Sequence, residues 1–112
     1  MAQGSTNFLN GVPELLVLRL LSEREMYGYE LVQAIREATE ENIVLAEGVV
    51  YPMLHQLERD GALQSRRQTV SGRSRVYYTV TPTGADRFMR LSEAWWDLNR
   101  AIGSLLGEKR NA

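Results

Sequence analysis

Six large apolar residues close to the C-terminus, Phe88, Leu91, Trp95, Leu98, Ile102 and Leu105, follow one another at spacings of 3, 4, 3, 4 and 3. That is the a/d seam of a helix that packs lengthwise on another helix, held over nearly three heptads. A helix of this length overhangs the core that 112 residues can build, so its stripe is most economically buried against a second copy of the chain. Its ends are marked. Thr81 offers a capping hydroxyl, Pro82 suits the first helical position, and Gly107 follows the last apolar residue. Residues 82–107 therefore read as a coiled-coil-like dimerisation helix, and residues 108–112 as a disordered tail.

The segment before it has the order helix, helix, helix, hairpin. Residues 1–11 are small and polar apart from Phe8 and Leu9, show no amphipathic period, and read as a flexible N-terminal arm. The first helix is expected from Pro13 to about Ser22. Its apolar residues cover most of the cylinder, which predicts burial on both faces, with Leu15 and Leu18 joining the seam at a dimer interface. A second helix over 28–39 carries Leu31, Ile35 and Ala38 on one side. A third, from about Glu47 to Asp60, carries Val50, Leu54 and Leu57 inward and is closed by Gly61. Pro52 is tolerable only in a first turn, so this helix is expected to begin after about Glu47. Residues 63–69 and 75–81 alternate with period two around the turn residues Ser71 and Gly72, a β-hairpin with Val76, Tyr78 and Val80 packed and Arg75, Tyr77 and Thr79 outward. The fold class is mainly α with a small β-hairpin wing: a winged helix-turn-helix over residues 12–81 plus the C-terminal helix.

With 44% hydrophobic residues the chain fits one domain. The apolar run Leu15 to Leu21 is interrupted by Arg19 and is too short to cross a bilayer, so no membrane association is expected. The chain has no cysteine and a single histidine, His55; no metal site and no cofactor are expected, and a cytoplasmic location is the simplest. No phosphate loop, nucleotide fingerprint, histidine pair or suitably spaced acid pair is present, so there is no catalytic residue to name and the enzyme class is rejected. A formal net charge of -1 argues against nucleic acid, but its distribution does not. Between Gly61 and Ala85 lie Arg66, Arg67, Arg73 and Arg75 with no acid, while Glu37, Glu40, Glu41 and Glu47 gather elsewhere.

The residues also resemble a known family. The segments Glu14 to Ser22, Met26-Tyr-Gly-Tyr-Glu-Leu31, Tyr51-Pro-Met-Leu-His-Gln-Leu-Glu58 with Gly61, Gly72-Arg-Ser-Arg-Val-Tyr-Tyr78 and Thr81-Pro-Thr-Gly84 are similar, in the same order, to the PadR-type transcriptional regulators. The resemblance runs from about Leu9 to Leu106. It implies a dimeric, usually repressing regulator of the short form, acting on double-stranded DNA. On that pattern the third helix is the recognition helix, with Tyr51, Pro52 and His55 near the DNA, and Gly72 to Arg75 form the wing. The chain departs at Val49, where the family often carries a small hydroxyl residue; a valine offers a methyl contact to thymine instead.

The physical reading of the site agrees. Residues at the start of a helix laid in the major groove reach base edges, and Gln56 has the two-pronged donor and acceptor that matches adenine. Arg73 and Arg75, with Arg66, supply charge for phosphates or a narrow minor groove, and Tyr77 shares the outward face. Tyr27 and Tyr29 open the second helix beside them. Trp96 lies off the seam with Met89. The pair either packs on the partner subunit or lines a candidate pocket for a small hydrophobic or aromatic effector, as the resemblance implies for some short forms. The competing function is a winged-helix protein-protein interaction module without DNA, favoured by the acidic cluster and opposed by the wing arginines.

Overall fold

The computed structural model describes residues 2–107, with side chains from residue 11 onward. Its elements run α1 (Ala2–Glu23), β1 (Met26–Tyr27), α2 (Gly28–Ala38), α3 (Glu47–Arg59), β2 (Leu63–Val70), β3 (Arg73–Val80) and α4 (Pro82–Leu106). The sheet order is β1-β3-β2, antiparallel throughout.

The core is where the apolar stripes of the helices meet. Leu18 of α1, Leu31 and Ile35 of α2, and Leu54 and Leu57 of α3 are essentially sealed, each contributing about 1.5–3 kcal/mol by burial. Tyr78 of β3 closes the sheet side. Glu30, third residue of α2, accepts from the Tyr27 backbone N–H (3.2 Å), meeting one of the donors a helix start leaves unpaired.

Four expectations need correcting. The first helix begins at Ala2, so the segment read as a flexible arm is helical and Pro13 lies inside α1. At Gly11, just past this stretch, α1 passes close to α4: an added Cβ would touch Leu91 at 3.4 Å. Secondly, Leu15 and Leu18 are 6% and 0% exposed within the single chain, so they are core residues with almost no surface for a partner subunit. The chain's own α4 packs along α1, with Phe88 and Leu91 against the core, and the all-round apolar character of α1 needs no second molecule. Thirdly, α3 begins at Glu47 itself, which puts Pro52 in the second turn. The carbonyl it cannot serve belongs to Gly48, which is exposed and therefore open to water. Finally, the link between the expected first and second helices, to which no strand was assigned, holds one: Met26 and Tyr27 pair with Tyr78 and Tyr77. The residues of the expected tail, 108–112, lie outside those described.

The hairpin is regular from Leu63↔Val80 to Val70↔Arg73, and closes in two residues, Ser71 (φ 51) and Gly72 (φ 79). Two positive φ values are what a tight hairpin turn needs to match strand twist. The start of α4 is then bolted to the end of α3. Thr81 Oγ1 accepts from the Gly84 backbone N–H (3.1 Å) and donates to the Gly61 carbonyl (2.6 Å), and the Thr81 N–H donates to the Ala62 carbonyl (3.1 Å). Arg87 of α4 adds ion pairs to Asp60 (3.0 Å) and to Glu14 of α1. Hydrogen bonds from Gln56 and Arg87 hold the Asp60 carboxyl below the ordinary carboxylate range. Beyond this joint, α4 leaves the domain. Ile102, Leu105 and Leu106 are 46%, 85% and 78% exposed.

Candidate nucleic-acid interface

Two stripes of α3 face away from its buried side. Tyr51 and His55 are one turn apart, as are Pro52 and Gln56, and Val49 precedes Pro52 by three residues. Tyr51 and His55 line a cleft of about 240 Å³ together with Tyr27, Gly28, Ser74 and Arg75. A contiguous cleft of about 420 Å³ is lined by Tyr27, Tyr29, Tyr51, Arg73, Ser74 and Arg75. The start of α2, the first half of α3 and the wing thus converge on one concavity carrying three tyrosines and two arginines. Burial pushes the Tyr51 phenol up, so it is a neutral hydrogen-bond donor at physiological pH.

Of the residues singled out from the sequence, Tyr27, Tyr29, Tyr51, His55, Arg73 and Arg75 line these clefts. Val49, Pro52 and Gln56 lie beside them on the exposed surface of α3, Val49 at 47% exposure, and Gly72 lies at the exposed hairpin tip. Both ends of the Gln56 amide are occupied: Nε2 donates to Asp60 Oδ1 (2.8 Å), and Oε1 accepts from Arg59 Nη2 (2.7 Å). These bonds take one of its two amide protons and one of its two oxygen lone pairs, and leave the others open.

The outer face of the sheet is an aromatic and cationic ladder. The Tyr27 and Tyr77 rings meet edge to face with centroids 5.4 Å apart. Arg75 lies 4.5 Å from the centre of the Tyr27 ring, and Arg66 lies 5.0 Å from that of Tyr77. Arg66 also forks onto Glu25, whose carboxyl it holds below the ordinary range through hydrogen bonding. The ladder depends on β1, which brings Tyr27 opposite Tyr77.

The model of the PadR-like family of transcriptional regulators matches residues 17–90. The chain belongs to that family. A transcriptional regulator of Mycobacterium tuberculosis is 35% identical over 95 residues, covering 85% of this chain and 86% of that one. A transcriptional regulator from Clostridium thermocellum superposes with a TM-score of 0.80 at 30% identity, covering 88% and 93%. A PadR-like regulator from Bacillus cereus superposes with a TM-score of 0.75 at 26% identity, covering 92% and 99%. These proteins are regulators rather than enzymes, and the winged helix-turn-helix with its hairpin wing is the PadR architecture. The partner of a PadR-like regulator is DNA. No helix among the described residues is long and apolar enough to cross a membrane.

Within this PadR-like chain, two residues of the site carried no sequence signal of their role. Gly28 is one: a Cβ there would overlap the Tyr51 ring, 2.7 Å from Cζ, so only glycine lets Tyr51 lie across the start of α2. Gly28→Ala is expected to destabilise the wild type by about 1–2 kcal/mol through overpacking. In a Tyr51→Ala background most of that cost disappears, a coupling that thermal melts of the two single variants and the double variant read directly. Equal costs in both backgrounds would show that the ring is not what Gly28 accommodates. Glu25 is the other. It precedes β1 with no motif around it, and its role depends on Arg66 arriving from 41 residues away.

Proposed function

We propose that the protein is a homodimeric, cytoplasmic repressor that binds an inverted-repeat operator and is released by a small hydrophobic or aromatic effector. The observation that carries the reading is the concavity in which Tyr51 and His55 of α3 share walls with Arg73 and Arg75 of the wing. A helix in the major groove with an adjacent arginine-bearing hairpin on the backbone needs these two elements on one side of the molecule. In this reading Tyr51, His55 and Gln56 meet base edges or phosphates, and Val49 and Pro52 lie against the groove. Arg73 and Arg75 grip phosphates past the exposed turn at Gly72, and Tyr27, Tyr29 and Tyr77 hold the wing and the backbone in register.

The dimer is supported by what α4 leaves uncovered. Phe88 and Leu91 are committed to their own core, but Ile102 and Leu105 continue the same stripe into solvent, past the half-buried Trp95 and Leu98. A stripe of this kind on a helix projecting from its domain is best covered by the same stripe of a second subunit. Trp96 (59% exposed) and Met89 (58%) lie off the seam, with Trp96 stacked on Trp95 at 5.7 Å. Flat aromatic surface at such an interface suits a flat hydrophobic ligand, which releases DNA only by preferring one dimer shape over the other. Repression is the outcome that the PadR resemblance implies.

Selection of bound fragments from a pool of random duplexes tests the whole. The expected product is an inverted repeat whose half-sites lie about 10 base pairs apart or at a multiple of that spacing. A selected site with a single, unrepeated half, or a pool that never enriches, would sink the reading.

A further inference from the structure

The outer sheet face carries a third arginine beside Arg73 and Arg75, and each of its three nitrogens already donates a hydrogen bond. Arg66 of β2 stands opposite Tyr77 of β3. Its Nε donates to Glu25 Oε1 (2.9 Å), its Nη2 to Glu25 Oε2, and its Nη1 to Gln68 Oε1 (2.7 Å), while one guanidinium face covers the Tyr77 ring. A planar fork on two carboxylate oxygens is the same arrangement in which a guanidinium binds two oxygens of a phosphate. The Arg73 side chain, in contrast, makes no hydrogen bond or ion pair among the described residues and lines the cleft.

We infer that Glu25 is an internal stand-in for a DNA phosphate: a positioning residue that keeps Arg66 on the sheet and leaves the wing's backbone grip to Arg73 and Arg75. The inference rests on the proposed DNA-binding face and adds to it. It also revises the expectation that Arg66 contacts DNA. Phosphate contacts hold all sequences alike, so withholding one lowers the general affinity for duplex DNA and its salt dependence. The pairing is exposed enough for DNA to reach: the side chains of Arg66 and Glu25 are 51% and 34% accessible.

The test uses the full chain and a random-sequence duplex, with binding measured across salt concentrations. Arg66→Ala leaves the slope of log affinity against log salt at the wild-type value. Glu25→Ala steepens it by about 0.9, so that its affinity advantage over wild type shrinks about 3-fold between 50 and 200 mM salt. In the double variant the gain vanishes, because the charge that Glu25 restrains is gone. Arg66→Gln replaces Arg66→Ala if the shorter side chain melts early. A shallower slope in Arg66→Ala would overturn the inference, since Arg66 would already be on a phosphate. So would an unchanged slope in Glu25→Ala, or a gain that survives in the double variant as plain long-range electrostatics. Failure of the parent reading looks different: there, wild type itself does not bind duplex DNA, or loss of Arg73 and Arg75 leaves its slope untouched.

Discussion

Gly84→Ala lowers the melting temperature of this protein by roughly 10 °C. Gly84 is the third residue of α4, so helix propensity alone predicts the opposite sign, a gain of about 0.5–1 kcal/mol from replacing glycine in a helix. The geometry decides against it. A Cβ at this position would collide with the Ala62 carbonyl oxygen and stand 2.9 Å from Val80 Cγ1. That carbonyl is backbone, held in place by the Thr81 N–H, and cannot swing aside as a side-chain end can. Overpacking of this kind costs about 1–3 kcal/mol, and the upper end applies because α4 must lift off the turn after α3. For a domain of this size a net loss of about 2 kcal/mol corresponds to the stated shift. A melt at or above the wild-type temperature would show that α4 does not dock as closely as described.

Loss of both Arg73 and Arg75 is expected to weaken duplex binding more than any other pair of surface changes. Each phosphate contact contributes about 0.9 to the salt slope, so each arginine is worth roughly 15-fold in affinity at 50 mM salt and roughly 4-fold at 200 mM. The loss falls on operator and random DNA equally, because phosphates carry no sequence. Arg75 also lies over the Tyr27 ring, so its removal loosens the ladder as well as the grip, and the two substitutions are not expected to be strictly additive. A salt titration that returns the wild-type slope for the double variant would remove the wing from the interface.

Much of this was legible in advance, and the residues say why. The elements α2, α3, the hairpin and α4 were readable because each carries a strict apolar period and a chemical stop: Gly61 at φ 81, the Ser71-Gly72 turn, the Thr81-Pro82 start. The convergence of α3 with the wing followed from the motif order. What stayed hidden depends on distant partners. The extension of α1 back to Ala2 has no apolar period to announce it. The strand at Met26–Tyr27 is two residues long and visible only through its pairing with Tyr78 and Tyr77. Leu15 and Leu18 lie on a helix that is apolar nearly all round, a pattern that points to a second molecule on its outer face, whereas the chain folds its own α4 over that side. Glu25 could not be distinguished from any exposed acid until Arg66 was seen to lie against it.

The bolting of α4 to the end of α3 makes those two helices a single crank. At about 1.5 Å per residue, the 25 residues of α4 form an arm roughly 37 Å long. In the proposed dimer, a tilt of only about 5° where two such arms cross would displace each domain by about 3 Å, close to the rise of one base-pair step. In that dimer, such leverage would let a very slight adjustment deep between the subunits carry the paired domains from matched to mismatched spacing on a duplex.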